Sequence, residues 1–93
     1  MAKFLYAYSG GNGVSANEEE RNAQYAKWSA WMGTLGPSLV DMGAPFARSS
    51  GGGNLTGYSI VEAASLDDAV AKAKGCPVYE VGGNVEVYEA IAM

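Results

Sequence analysis

The chain has 93 residues, a formal net charge of −4 and a sequence pI near 4.5. This length predicts one domain over residues 1–93. The 6 basic residues are too few and too scattered to form the basic patch that nucleic acid or an anionic membrane surface requires, so we expect neither partner. One cysteine and no histidine exclude an intrachain disulfide, a structural zinc site and a histidine-based catalytic pair, and we expect no cofactor. The single cysteine favours a cytoplasmic protein.

The first predicted element is a strand at residues 3–8, KFLYAY. Successive side chains in a strand point to opposite faces. Phe4, Tyr6 and Tyr8 therefore share one face, and the residues between them share the other. Both faces of this strand are therefore largely apolar.

A glycine-rich loop, SGGNGVSAN, follows at residues 9–17. Within it Gly11, Gly13 and Ala16 match the G-x-G-x-x-A spacing of a dinucleotide-binding turn. The chain is too short for the doubly wound sheet that such a turn serves, and glutamates crowd the helix end that would hold a pyrophosphate. We therefore interpret the segment as a loop that can act as a lid.

A helix comes next, because a capping box and an apolar stripe follow one another. Its first turn is capped either by Ser15 with Glu18 or by Asn17 with Glu20. Gly36-Pro37 should end it. The apolar stripe, with members three or four residues apart, consists of Tyr25, Trp28, Met32 and Leu35, and Trp31 lies alongside it.

The residue pattern in the rest of the chain predicts three more strands and a second full helix. Ser65 with Asp68 should cap that helix, and Gly75 should follow it as a left-handed residue before Pro77. Its inner face is predicted to hold Leu66, Ala69, Val70 and Ala73. In chain order the other segments are a helical turn at 37–43, an edge strand at 44–50, a strand at 56–64 and a strand at 85–91.

The order of elements is β-α-β-β-α-β, which predicts an α+β, ferredoxin-like fold with a four-stranded antiparallel sheet and two helices on one face. Two helices cover only one face of the sheet, yet the strands are apolar on both faces. Tyr58 and Ile60, for example, alternate with Val61 and Ala63. We therefore expect the uncovered face to pack against a second copy of the chain in a homodimer.

Three long segments form an ordered pattern: YAKWSAWMGTLGPSLVDMGAPF, GYSIVEAASLDDAVAKAKGCP and GGNVEVYEA. The pattern from Gly57 to Glu89 is the most specific. Together these segments resemble the YCII-related family of the dimeric α/β-barrel superfamily. The resemblance implies a bacterial, cytosolic protein whose subunits pair two sheets into a barrel and act on small molecules. Some branches of the family carry a His-Asp pair that has no counterpart here, and Val78 stands where related chains often have a histidine after Cys-Pro.

Cys76 lies between Gly75 and Pro77 and is either a reactive thiol or a packing residue at a helix exit. The carbonyl groups at the end of a helix raise the pKa of a nearby thiol, and the chain has no histidine to activate one. We therefore favour the packing role.

The residue types leave two sets of candidates for a site. If the protein is an enzyme, Glu62 is the candidate for proton transfer, because a carboxylate within an apolar strand has a raised pKa, and Arg48 is the candidate for binding an anion. For Glu62 we favour the alternative, in which it is a charge at a strand end that reaches water or pairs with a lysine or arginine. The candidate ligand-binding aromatics are Tyr6, Tyr8, Trp31 and Tyr58.

Three functions remain compatible with the sequence. The first is an enzyme or enzyme-like protein that acts on a small organic molecule in an aromatic-lined pocket. The second is a non-catalytic module that binds or senses a small ligand in the same pocket. The third is a purely structural dimer. The first is the leading hypothesis and the second is its alternative; the missing histidine moves weight from the first towards the second.

Overall fold

The computed structural model describes residues 2–10, 17–46, 50–51 and 53–91. Its four strands form one sheet in the order β2-β3-β1-β4, and each neighbouring pair is antiparallel. The predicted ferredoxin-like topology is confirmed. The elements are β1 Ala2–Gly10, α1 Glu18–Leu35, β2 Leu39–Pro45, β3 Leu55–Ala63, α2 Leu66–Ala73 and β4 Gly83–Glu89, with 3₁₀ turns at Gly36–Ser38 and Pro77–Val81.

The core lies between the helices and one face of the sheet. Phe4, Tyr6 and Tyr8 of β1 point into it, as their alternation predicts. Tyr6 is fully buried at the centre, between Ser59 of β3 and Val87 of β4. Burying the apolar part of such side chains stabilises the fold by roughly 1.5–3 kcal/mol for each large residue.

Helix α1 begins and ends where the sequence predicts. The side chain of Asn17 accepts hydrogen bonds from the backbone N–H groups of Glu19 and Glu20, so the Asn17 cap is the one formed. The helix ends at Gly36, whose φ of 53° suits glycine. Trp31 and Leu35 are buried, whereas Tyr25, at the start of the predicted stripe, is 53% exposed.

The prediction of a helical turn at 37–43 is wrong beyond the 3₁₀ turn Gly36–Ser38. Strand β2 begins at Leu39, which pairs with Val61 of β3, and it ends at Pro45. The predicted strand at 44–50 therefore begins too late. Pairing with β3 overrides the weak local preference of this segment, because strand formation depends on partners more than on intrinsic propensity.

Helix α2 is capped by Ser65, which accepts a hydrogen bond from the Asp68 N–H. Of its residues, Ala69 and Ala73 are buried; Leu66 and Val70 are more than 40% exposed, so they were wrongly assigned to the inner face. Small residues let this short helix approach the sheet closely. The hydroxyl of Tyr6 donates to the Ala69 carbonyl at that contact.

Gly75 does not have the left-handed conformation predicted for it, since the glycines with positive φ in the described residues do not include it. A Cβ atom at Gly75 would lie 3.3 Å from Cδ1 of Trp31, so glycine here allows the indole ring to pack against the chain. Strand β4 begins earlier than predicted, at Gly83, and Ile91 lies beyond it.

The other face of the sheet carries no helix in the described part of the chain. Register places Leu5, Ile60 and Glu62 on this outward face, together with Tyr58 and Tyr88. The double-sided strands predicted from the sequence are therefore present. None of the helices within the described ranges is long and apolar enough to cross a membrane.

Candidate functional site

A cavity of about 610 Å³ lies between α1, the β2–β3 edge of the sheet and the 3₁₀ turn Pro77–Val81. Ligand pockets for small organic molecules commonly have volumes of about 300–1,000 Å³. Large apolar and aromatic side chains form much of its described wall. They include Tyr8, Tyr25, Trp28, Met32, Met42, Phe46 and Tyr58.

Two groups of stacked or edge-on rings shape the wall. On the helix side, the Tyr8 ring meets Trp28 edge-on with centroids 4.9 Å apart, and Trp31 packs behind Trp28 at 5.8 Å. On the β2 side, Phe46 stacks on Tyr58 with centroids 5.8 Å apart. Ring surfaces of this kind favour flat ligands, because aromatic pairs gain roughly 0.5–1.5 kcal/mol beyond the area that they bury.

An irregular segment of β2 forms one side of the cavity. Between the pairs Asp41–Ile60 and Ala44–Tyr58, two residues of β2 oppose the single residue Ser59 of β3. This is a β-bulge. The carboxylate of Asp41 accepts a hydrogen bond of 2.8 Å from the Gly43 N–H, and Gly43 adopts a φ of 71°. The bulge thus depends on a short polar side chain and on a glycine.

The bulge places a backbone carbonyl against a buried hydroxyl. Ser59 is fully buried, and its Oγ donates to the carbonyl oxygen of Met42 at 2.8 Å. The phenol of Tyr8 in turn donates to Ser59 Oγ at 2.8 Å. Burial is the main cause that raises the pKa of Tyr8 well above its ordinary value, so the phenol stays protonated at neutral pH. Tyr8 and Ser59 both contribute to the cavity wall.

Among the described wall residues, the charged groups are Lys27 and Glu80. Lys27 Nζ lies 3.8 Å from a Glu80 carboxylate oxygen, and both side chains are about 60% exposed. An exposed pair of this kind contributes little to stability. No cluster of residues that could hold a metal ion occurs in the described ranges.

Two of the four predicted ligand-binding aromatics, Tyr8 and Tyr58, lie in the cavity wall. Tyr6 and Trp31 lie behind that wall. Tyr6 is fully buried, and burial is the main cause that raises its pKa to about 12. Trp31 is 5% exposed, and its indole N–H donates to the Lys72 carbonyl at 3.3 Å. These two residues support the rings that line the cavity.

Of the two predicted catalytic residues, Glu62 is described and is not among the described residues that line the cavity. Glu62 shares the outward face of the sheet with Tyr58 and Ile60, as predicted, and this is the face opposite to Tyr8. Tyr58 nevertheless borders the cavity, which extends along β2 to Phe46, the residue that stacks on the Tyr58 ring. Arg48 lies outside the described residues, and so do Gly11, Gly13 and Ala16 of the dinucleotide-like motif.

Cys76 is buried, with 2% of its surface exposed. Its N–H donates to the Ala73 carbonyl at 3.0 Å, at the exit of α2. Burial raises the pKa of the thiol to about 11, which disfavours the reactive thiolate. This placement agrees with the packing role favoured from the sequence.

No family model matches the chain, and no curated protein does. Among solved structures, the chain is similar to 5-chloro-2-hydroxyhydroquinone dehydrochlorinase from Burkholderia phenoliruptrix AC1100, in complex with 2,5-dihydroxybenzoquinone. The identity is 20% and the TM-score 0.65, over 100% of this chain and 96% of that chain. That protein has a dimeric α/β-barrel fold, and this chain shares its α+β, ferredoxin-like subunit fold. A likeness at this identity establishes the fold and leaves the activity open.

The sequence did not reveal the hydrogen-bonded chain Tyr8–Ser59–Met42. Serine in a strand gives no signal of its own, and a backbone carbonyl gives none at all. The one available signal was Asp41-Met-Gly43, because an aspartate two residues before a glycine favours a turn of the backbone. In the helical turn predicted at 37–43 that signal was attributed to a helix end.

Proposed function

We propose that this chain binds a small planar ring compound in the aromatic cavity and acts on it as an enzyme or enzyme-like protein. The observation that carries the proposal is the cavity itself, with rings on two sides and a buried hydroxyl pair on a third. Flat aromatic walls with a few fixed polar groups suit ring compounds with polar substituents. The dehydrochlorinase of the same fold was solved with a ring compound, a dihydroxybenzoquinone, which supports this substrate class.

A second candidate function is non-catalytic binding in the same cavity. It is favoured by the ionisable groups of the described wall. The pKa of Tyr8 is raised well out of the neutral range, mainly by burial, and Glu80 forms an exposed ion pair with Lys27. The Tyr8 phenol is therefore not suited to move a proton at neutral pH, since a general acid or base works best with a pKa near the operating pH.

We further propose that two copies of the chain form a homodimer through the outward face of the sheet, as in the YCII-related proteins that the sequence resembles. In such a dimer Glu62 and Tyr58 would lie between the two sheets. The role of Glu62 in proton transfer is then a proposal for a ligand held there, and Arg48 remains the proposed anion ligand. The single cysteine supports a cytoplasmic location.

Isothermal titration calorimetry with hydroquinone tests the binding proposal. We expect saturable binding to the wild type and a loss of at least about fivefold in affinity for Trp28→Ala, because that change removes a ring from the wall. Tyr79→Ala is the matched control: it removes a 43% exposed aromatic from the same neighbourhood but not from the cavity wall. If hydroquinone and a panel of related ring compounds fail to bind the folded wild type, the proposal is wrong.

Catalysis and binding are separated by what happens to the bound compound. Incubation of the protein with each compound that binds, followed by mass spectrometry, should reveal a product if the enzyme reading is correct. Unchanged ligand over the whole panel would favour the non-catalytic module.

A further inference from the structure

Tyr8, Ser59 and Met42 are joined by two hydrogen bonds in series, and the Met42 carbonyl fixes the direction of both. A backbone carbonyl only accepts hydrogen bonds. Ser59 must therefore donate its single hydroxyl proton to the Met42 carbonyl oxygen, at 2.8 Å. Its Oγ then has lone pairs but no proton to offer to Tyr8, so the phenol must donate its own proton to Ser59.

This direction determines which further hydrogen bonds Tyr8 can form: its oxygen can accept one, but it has no proton left to donate. Its only proton is used towards Ser59, and its oxygen retains lone pairs. No hydrogen-bond donor to that oxygen is found among the residues that the structure describes. The raised pKa of Tyr8 keeps the phenol from losing its proton and becoming a charged acceptor.

The Met42 carbonyl, which is the last acceptor in this hydrogen-bonded series, is held in place by the backbone. Gly43 has a φ of 71°, and its N–H is bonded to the Asp41 side chain, which keeps the Met42 carbonyl turned towards Ser59. Ser59 is fully buried, so water cannot easily replace either partner. Reversing the direction would leave the Met42 carbonyl without its donor, and a buried polar group left unpaired is costly.

We propose that Tyr8 selects ring compounds that carry a hydrogen-bond donor, such as a hydroxyl group, over compounds that carry only acceptors. This inference rests on the proposed function, since it names the class of compound that the cavity takes. A ligand hydroxyl placed next to the Tyr8 oxygen donates a hydrogen bond to it. A ketone or ether oxygen in the same place forms none, because it and the Tyr8 oxygen would both be acceptors.

Calorimetric titration of the wild type with phenol, anisole and acetophenone tests the selection without any mutation. Phenol carries a donor, and the other two do not. One neutral hydrogen bond corresponds to about threefold to tenfold in affinity, so we expect phenol to bind tighter than both by about that factor. Tyr8→Phe, which keeps the ring and removes the oxygen, should bring the three affinities within about twofold of one another.

Ser59→Ala gives the opposite test, because it removes the acceptor that holds the Tyr8 proton. The phenol can then donate to a ligand, and acetophenone should gain about threefold or more relative to phenol. Thermal melting of each variant should show that it folds. If a variant does not fold, the wild-type titrations with phenol, anisole and acetophenone still test the selection by Tyr8.

The outcomes separate this inference from the proposal on which it rests. If the wild type binds all three compounds equally well, the selection by Tyr8 is wrong and the aromatic cavity stands as a binding site. Unchanged ratios in folded Ser59→Ala would also contradict the fixed direction. If none of the ring compounds, hydroquinone included, binds to the wild type, both proposals fall.

Discussion

Two buried tyrosines each donate a hydrogen bond from the phenol hydroxyl within this small core. Tyr6 donates to the Ala69 carbonyl and so ties β1 to α2, while Tyr8 donates to Ser59 within the sheet. Both are nearly or fully buried. A tyrosine that is buried and hydrogen-bonded in this way resists ionisation, because the charged form would lose its hydration without a compensating partner.

Alkaline pH should therefore weaken the fold through Tyr6. Its pKa is raised to about 12 in the folded protein from 10.0 for an ordinary tyrosine, mainly by burial. Its contribution to stability is fully present below pH 10 and is lost as the pH rises from 10 towards 12. The slope for one such group is up to about 1.4 kcal/mol per pH unit.

Urea unfolding at pH 9 and pH 11 measures this effect. Tyr6→Phe should cost about 1 kcal/mol at pH 9, because the Ala69 carbonyl loses its donor. It should then lose less stability than the wild type between the two pH values. Equal losses for both proteins would show that Tyr6 does not titrate as its burial implies.

At the scale of elements, strand β2 is the least regular part of the sheet. Its register with β3 shifts twice, once between Leu39 and Asp41 and once between Asp41 and Ala44. The second shift contains Gly43, and it turns the Met42 carbonyl to Ser59. An edge strand with such shifts is also a poor template for pairing with other chains.

Gly43→Ala should damage this strand severely. The φ of Gly43 is 71°, and an added Cβ would lie 1.7 Å from the Tyr58 carbonyl oxygen. Backbone atoms cannot move aside cheaply, so we expect a loss of about 3 kcal/mol or more in the free energy of unfolding, measured by urea titration.

Gly33→Ala is the matched control for that substitution. Gly33 lies within α1 and has no atom within 4 Å of an added Cβ. Alanine is favoured over glycine inside a helix by about 1 kcal/mol, so this variant should be more stable than the wild type. A Gly43→Ala protein as stable as the wild type would contradict the bulge described here.

These elements also show how far the sequence predicts the molecule. Alternation in β1 and β3, and the caps Asn17 and Ser65, are local signals, and they were sufficient for the topology. The path of β2 was not predictable, because its strand character comes from pairing with β3 rather than from its own residues. For the same reason the sequence placed Tyr8 and Tyr58 among the candidates but missed Ser59, whose role depends on a neighbouring strand.

At the scale of the whole molecule, the outward face of the sheet is the dominant feature. It presents Leu5, Ile60 and Tyr58 at half burial and Tyr88 at 51% exposure. Soluble monomers rarely expose a contiguous apolar patch of more than a few hundred Å². The dimeric α/β-barrel fold covers such a face by pairing two sheets, and this is the basis of the homodimer proposed here.

Sedimentation equilibrium at low micromolar concentration tests the homodimer. We expect a mass of twice 9.6 kDa for the wild type. Ile60→Lys places a charge on the outward face and should shift the protein towards the monomer or unfold it. Val70→Lys, at a 41% exposed position of α2, should leave the mass unchanged. A well-folded wild type at 9.6 kDa would contradict the pairing of the two sheets.

The two indole rings give the molecule an internal optical probe. Trp28 lines the cavity and Trp31 is buried behind it, with ring centroids 5.8 Å apart. At that separation, excitation energy absorbed by one ring transfers readily to the other. We therefore expect a molecule that enters the cavity and contacts Trp28 to change the emission of both rings. The intrinsic fluorescence of the unlabelled protein, in its wavelength and intensity, should then follow occupancy of the cavity.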